Sequence, residues 1–285
     1  KRNRWKLGGS GGTTPDDVNL SDIEQVDGGS AEDELVGPDA DATWTIDGAG
    51  AGTVNGVSFS GMENLTGAAD NEDTFVFHST GGISGVADGG ERGSDSLIIA
   101  DGTYDTVTFT VLDSETGTID RDGDLFTFTG LEPAADNSAG NKVVTDPTVS
   151  ASTITISGAG GGITVSAPGW PESFVFGSPD NVTVNAGSGD DTITIQSLDT
   201  YAHTLTVNGE AGDDTITFTA ITASATYVVD GGTNTATGDT IKATLGTSQS
   251  GSLSDTALVI GAESITLSGI ETADIDGGSG VNTFT

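Results

Sequence analysis

The chain contains no cysteine among its 285 residues, which excludes disulfide staples and thiolate chemistry, whether redox or metal-binding. Basic residues are almost as scarce: 8 Lys and Arg stand against 43 Asp and Glu, a formal charge of −35. A surface of that sign repels nucleic-acid phosphates and anionic bilayers, so cations and basic surfaces are the expected partners. No apolar run is long enough to span a membrane, and no membrane insertion is expected. Hydrophobic residues reach only 34%, so the core must be thin or elongated. Segments with a helical period are scarcely readable anywhere.

What is abundant is glycine, with 44 residues, together with Thr, Ser and Asp, a mixture that points to many short strands joined by tight turns. The acidic turn VNAGSGDDTITI at 184–195 returns as VNGEAGDDTITF at 207–218. Looser versions are GGSAEDEL (28–35), GAADNEDTF (67–75), GGERGSDSL (89–97), GGTNTATGDTI (231–241) and GGSGVNTF (277–284). A second phrase recurs as VSFSGMEN, FTFTGLEP and ITLSGIET, its glycines at Gly61, Gly130 and Gly269. The 69 residues from Gly61 to Gly130 are three times the 23 from Asp191 to Asp214, so both phrases belong to one period.

That period predicts an all-β fold, a right-handed parallel β-helix (β-solenoid) with coils of about 23 residues. One coil cannot bury its own apolar face, whereas stacking at about 4.8 Å pairs every backbone group with its neighbours. Val182, Val184, Ile193, Ile195, Leu205, Val207, Ile216 and Phe218 are the expected inward residues, with the intervening threonines outward. Residues 20–131 and 153–285 read as two solenoid parts. Residues 132–152 read as a linker or long loop, for want of an apolar period and for Pro133 and Pro147. Residues 1–19 read as a basic, Gly-rich N-terminal arm. The chain begins without Met and ends inside a repeat, and is expected to be a piece of something longer.

The GGxGxDxU-like turns, with U a large apolar residue, resemble the hemolysin-type calcium-binding repeats of secreted RTX proteins. LVGPDADATW (35–44), FSGMENLTG (59–67) and FTGLEP (128–133) are similar to segments of very large, repeat-rich, adhesin-like bacterial surface proteins. The resemblance implies a secreted, extracellular or cell-surface protein, exported unfolded and folded by calcium. It departs from the tandem repeats of that class, which recur about every nine residues; Glu210 replaces a motif glycine and Asn282 the aspartate.

The metal candidates are Asp190, Asp191, Asp213 and Asp214, which the period places one above the other. Two carboxylates about 5 Å apart repel by roughly 3 kcal/mol at an effective dielectric near 20, a penalty that calcium would remove. The opposing reading is that each Asp closes a turn by accepting backbone N–H bonds. Asp33, Asp73, Asp95, Asp239 and Asp276 are weaker candidates for the same role. No catalytic residues are expected. A polysaccharide-active β-helix enzyme would need basic groups in a cleft, and outside the first six residues there are only Arg92, Arg121, Lys142 and Lys242, with His78 and His203 scattered. Thr-x-Thr pairs such as Thr192/Thr194 and Thr215/Thr217 would stack into a ladder able to meet ice or another surface. Lys1, Arg2, Arg4, Trp5 and Lys6 are the expected partner-binding residues of an end-to-end self-association, and a surface or polysaccharide ligand is the other partner considered. The leading function is a structural or adhesive module.

Overall fold

Alternation of one apolar with one polar residue dictates the elements. In Thr192–Ile195 and Thr215–Phe218 every second side chain is buried and the threonines between them face out. The computed structural model describes residues 3–8, 17–171, 173–198, 200–245, 249–279 and 281–285, and among these the regular elements are all strands, with no helix. By the density of its contacts the chain divides into two units, the first comprising Lys1–Val107, Asp113–Ala139 and Pro171–Phe174, the second Thr108–Leu112, Gly140–Trp170 and Val175–Thr285.

In the first unit one sheet runs Asp17–Leu20, Arg4–Leu7, Glu34–Val36, Asn64–Thr66, Val86–Asp88, Asp124–Thr129, Thr116–Arg121. All its pairings are parallel except the hairpin between the last two. A second sheet runs Ala134–Asp136, Ser96–Ile99, Thr74–Phe77, Thr43–Gly48, Ala51–Val54, Val57–Ser60, Gln25–Asp27. The core of this unit includes Leu65 from the first sheet and Phe75, Phe77, Leu97 and Trp44 from the second, all fully buried. The Trp44 ring stacks on Phe75 at 5.2 Å and meets Phe59 edge-on at 6.1 Å.

In the second unit Ala139–Thr145, Val182–Asn185, Thr204–Asn208, Thr226–Asp230 and Glu263–Ser268 pair in parallel as one sheet, extended by a meander through Ala257–Ile260 and Ser250–Ser254. The other sheet pairs Thr153–Ala159, Thr192–Ile195, Thr215–Phe218, Thr240–Thr244 and Thr272–Asp276 in parallel. Each strand, turn and strand forms a rung on the rung before it: Ile193 lies opposite Ile216, and Val184 opposite Val207. All eight residues expected to face inward are buried.

Hairpins interrupt this parallel order, a feature the period did not predict. Ala51–Val54 and Val57–Ser60 close on Asn55 and Gly56, both with positive φ (46° and 85°). Asp122–Gly123 and Gly160–Gly161 do the same for two further hairpins. Two-residue turns of this hand match the twist of antiparallel strands, and the pairing of Thr43–Gly48 with Ala51–Val54 shifts register between Ile46 and Gly48.

Two segments differ from their expected role. Residues 132–152 carry the strands Ala134–Asp136 and Ala139–Thr145; the inward positions there include Gly140 and Lys142 as well as Val144, which hides the apolar period. Within residues 1–19, Arg4–Leu7 is a sheet strand, with Arg4 paired to Glu34 at 3.0 Å and Lys6 to Asp39 at 2.9 Å. Trp5 lies between them, half-buried; Lys1 and Arg2 lie outside the described residues.

Candidate functional site: the carboxylate columns

Each acidic turn must satisfy the amides at the corner where one sheet face gives way to the next. In the second unit it does so from the neighbouring rung. Asp191 Oδ1 accepts from Ser152 N at 2.7 Å, Asp214 Oδ1 from Asp191 N at 2.8 Å, Asp239 Oδ1 from Asp214 N at 2.6 Å, and Glu271 Oε2 from Asp239 N at 2.8 Å. The carbonyls point the other way: Asp191 O accepts from Thr215 N, Asp214 O from Thr240 N and Asp239 O from Thr272 N. Asp191, Asp214 and Asp239 are 1%, 1% and 0% exposed.

The first unit builds the same device twice. Asn3 N donates to Asp33 Oδ1 at 2.8 Å and Asp33 N to Glu63 Oε2 at 2.7 Å; Ala42 N donates to Asp73 Oδ1 at 2.8 Å and Asp73 N to Asp95 Oδ1 at 2.7 Å. Glu63 and Glu271 belong to the SGME and SGIE turns. The second repeated phrase therefore places a glutamate where the first places an aspartate, a shorter turn compensated by a longer side chain.

Asp190 and Asp213 form an outer line of opposite direction. Asp213 N donates to Asp190 Oδ1 at 3.0 Å, and Asp213 in turn accepts from Thr235, Ala236, Thr237 and Gly238 N at 2.8 to 3.2 Å. These bonds, led by that from Ala236, hold the Asp213 carboxyl well below the usual carboxylate range. The inner column moves the other way. Burial pushes Asp191 up to about 7 and Asp214 up to about 6, with neighbouring carboxylates adding to it, and it raises Asp239 as well. In the first unit burial pushes Asp95 up to about 6 and raises Asp73.

The four residues expected as metal ligands are thus brought together in two lines of different character. Among the described residues no group of three or more His, Asp or Glu side chains is gathered as a metal ion requires. Asp276 closes its own turn, accepting from Gly278 N at 3.0 Å. Asp146, buried at the start of the second unit's column, accepts from Ser152 Oγ at 2.7 Å and Trp170 Nε1 at 3.0 Å. Burial alone would raise its carboxyl, but these bonds and that from Thr148 outweigh it and hold it low.

The scattered cations have local roles. Arg121 is buried against the rings of Phe77, Tyr104 and Phe126, donates to Gly81 O at 2.5 Å and pairs with Asp124. Arg92 pairs with Asp70 on the surface, and His78 with Asp101 at 2.7 Å. Lys142 is buried, Lys242 lies in register with Thr217, and His203 is exposed beside the Tyr201 ring.

No family model, curated protein or solved structure matches this chain.

Proposed function

We propose that the chain is a right-handed parallel β-helix with coils of about 23 residues, lengthened locally by hairpins, and that it serves as a structural or adhesive module of a secreted bacterial surface or extracellular protein. The observation that carries this reading is the orientation of the acidic residues. Asp191, Asp214 and Asp239, conspicuous in the sequence, face inward and tie rung to rung. A side chain used this way serves the stack and has no free face for a substrate. The experiment is mechanical: stretching single molecules should release length in small, repeated steps as rungs peel away. Release in one step, or at forces of an unfolded chain, would count against it.

Calcium belongs to the same proposal, at Asp190, Asp191, Asp213 and Asp214. Its support is the charge of −35 and the resemblance of the turns. A melting temperature equal in chelator and in excess calcium removes it. End-to-end self-association is proposed on charge as well, on the contrast between four cations in the first six residues, of which Arg4 and Lys6 pair with Glu34 and Asp39 of the same chain, and a net charge of −35. Light scattering at low and high salt tests it, and a monomer throughout rejects it.

One observation favours a second reading, surface binding. Thr153, Thr192, Thr215, Thr240 and Thr272 stand in register on one sheet, with Thr155, Thr194 and Thr217 beside them. The array is uncharged in a strongly acidic chain until Lys242 and Asp274 interrupt it. Growth of ice crystals, or adsorption to a crystalline polysaccharide, compared between the chain and a Thr194→Lys/Thr217→Lys variant, tests whether the array meets a periodic surface.

A further inference from the structure

Away from the inner columns' aspartates, three turns of the first unit, at residues 49–50, 61–63 and 79–84, line one cleft of about 400 Å³ together with Asp124. Small-molecule sites have volumes of that order. Glycine at 50, 61, 81 and 82 leaves the backbone bare there. That backbone is laced from turn to turn: Gly50 N donates to Gly82 O at 2.7 Å, Gly82 N to Gly48 O at 3.2 Å and Met62 N to Gly50 O at 3.0 Å. A cleft held in this way is formed before any ligand arrives.

A buried cation sets one of its polar groups. Asp124, its side chain 48% exposed, pairs through Oδ2 with Arg121, whose side chain is 1% exposed. The Arg121 guanidinium lies 5.4 to 5.8 Å from the ring centres of Phe77, Tyr104 and Phe126. It also donates to His78 O at 3.4 Å and to Gly81 O at 2.5 Å, on either side of the turn at 79–80. A permanent charge is costly to bury; here it fixes a carboxylate and a turn that line the same cleft.

What the cleft offers is mostly acceptors. Asp124 Oδ1 has no hydrogen-bond partner among the described residues. Glu63 commits only Oε2, to Asp33 N at 2.7 Å, and Thr80 Oγ1 spends its hydrogen on Asp47 O at 2.7 Å, which leaves its lone pairs. A ligand must therefore bring donors. Since Arg121 already answers the charge of Asp124, hydroxyl groups suit it better than an ammonium, and the bond from O–H to a carboxylate is of the strong, charge-assisted kind. An apolar ligand finds little to bury against: none of the described lining residues is aromatic, and Met62 and Ile83 are 1% and 3% exposed.

We infer that this cleft binds a neutral saccharide, whose hydroxyl groups donate to Asp124 Oδ1 and to the acceptors of Glu63 and Thr80. The inference deepens the adhesive part of the reading above, on which its purpose rests; release rung by rung is measured without any saccharide, so either can fail alone.

The test is saturation-transfer NMR and calorimetry on the whole chain, in chelator, with maltotriose, cellotriose, mannotriose and chitotriose as neutral probes, oligogalacturonate as an anionic probe and putrescine as a cationic one. At least one neutral trisaccharide should bind, and oligogalacturonate should be repelled by the charge of −35. Asp124→Asn should weaken binding by about tenfold or more, through loss of a charged acceptor. Because that variant also strips Arg121 of its counter-charge, Ser84→Arg is the second: from an exposed position on the lining it fills the cleft and occupies its acceptors. It should abolish binding with the unfolding midpoint unchanged. Asp255→Asn, exposed in the second unit, should bind as the wild type does. Failure of every neutral probe, binding of putrescine or oligogalacturonate in their place, or an affinity unmoved by Ser84→Arg would overturn the inference.

Discussion

The amide of Asp191 donates to Oδ1 of Asp214, 23 residues on, at 2.8 Å, while the carbonyl of the same Asp191 accepts from Thr215 at 2.8 Å. One residue is therefore held to the next rung at both ends of its peptide, once through a side chain and once through the ordinary ladder. The outer neighbour reverses the direction, since Asp213 N donates back to Asp190. Adjacent aspartates in the GDD sequence lace the same two rungs from opposite sides.

Removing the inner lace should cost more than removing the outer. Asp214→Ala leaves the buried Asp191 amide without an acceptor, a loss of about 1–3 kcal/mol. Asp190→Ala frees the Asp213 amide at a solvent-exposed corner, where water replaces the bond. Urea unfolding of the two variants at the pH of greatest stability should rank them in that order; equal midpoints would deny the inner column its structural role.

Gly209→Ala should destabilise the second unit by about 1–3 kcal/mol through overpacking, since the new methyl group strikes Asp214 Oδ2. Backbone strain is not the reason, because Gly209 is not among the residues of positive φ. Gly56→Ala provides the contrast: nothing lies within 4 Å of its Cβ, and its φ of 85° alone is expected to cost about 1 kcal/mol. Combining Gly209→Ala with Asp214→Ala should recover part of the loss, which a double-mutant cycle measures directly.

Trp44→Ala removes the ring stacked on Phe75 in the first unit and is expected to cost about 3–5 kcal/mol. With no exposed ring surface, Trp44 should also resist an aqueous quencher in the folded chain, so the quenchable fraction of fluorescence should rise when it is deleted. A variant with unchanged unfolding and unchanged quenching would place that ring outside the core.

Much of this organisation was legible from spacing, and what was missed has identifiable causes. The spacing of Asp191 and Asp214 placed them in neighbouring rungs, and alternation alone assigned Ile193, Ile195, Ile216 and Phe218 to the core. The hairpins fall outside the period, although Asn55-Gly56 and Asp122-Gly123 are turn dipeptides that announce antiparallel strands. Glu63 and Glu271 are not announced by the acidic-turn pattern, whose mark is an aspartate. Only the fold shows that a glutamate in a shorter turn reaches the same amide. Which aspartate of a GDD pair faces inward depends on the phase of the following strand, since Asp191 and Asp214 share a side with Ile193 and Ile216.

That phase gives the pair opposite responses to acid. Asp213 is held well below the ordinary carboxylate value by the backbone amides of Ala236, Thr237, Thr235 and Gly238. Its contribution is present above about pH 4 and is lost as pH falls toward its folded value, because protonation weakens an acceptor that serves four donors at once. The inner aspartates gain earlier in the descent, as pH falls through about 7 and about 6 toward the ordinary value of 3.8. Mild acid should therefore leave the rungs intact, and stronger acid should free the 235–238 turn first. Hydrogen exchange, expressed as protection relative to the unfolded rate at each pH, should show Thr235–Gly238 losing protection as pH falls toward the folded value of Asp213, well below 3.8, while Ile193 and Ile216 keep theirs. Asp213→Ala should reproduce the loss at neutral pH with little change in global unfolding. Protection of the turn that survives both acid and Asp213→Ala would mean that other contacts hold it and that the four bonds to Asp213 are incidental.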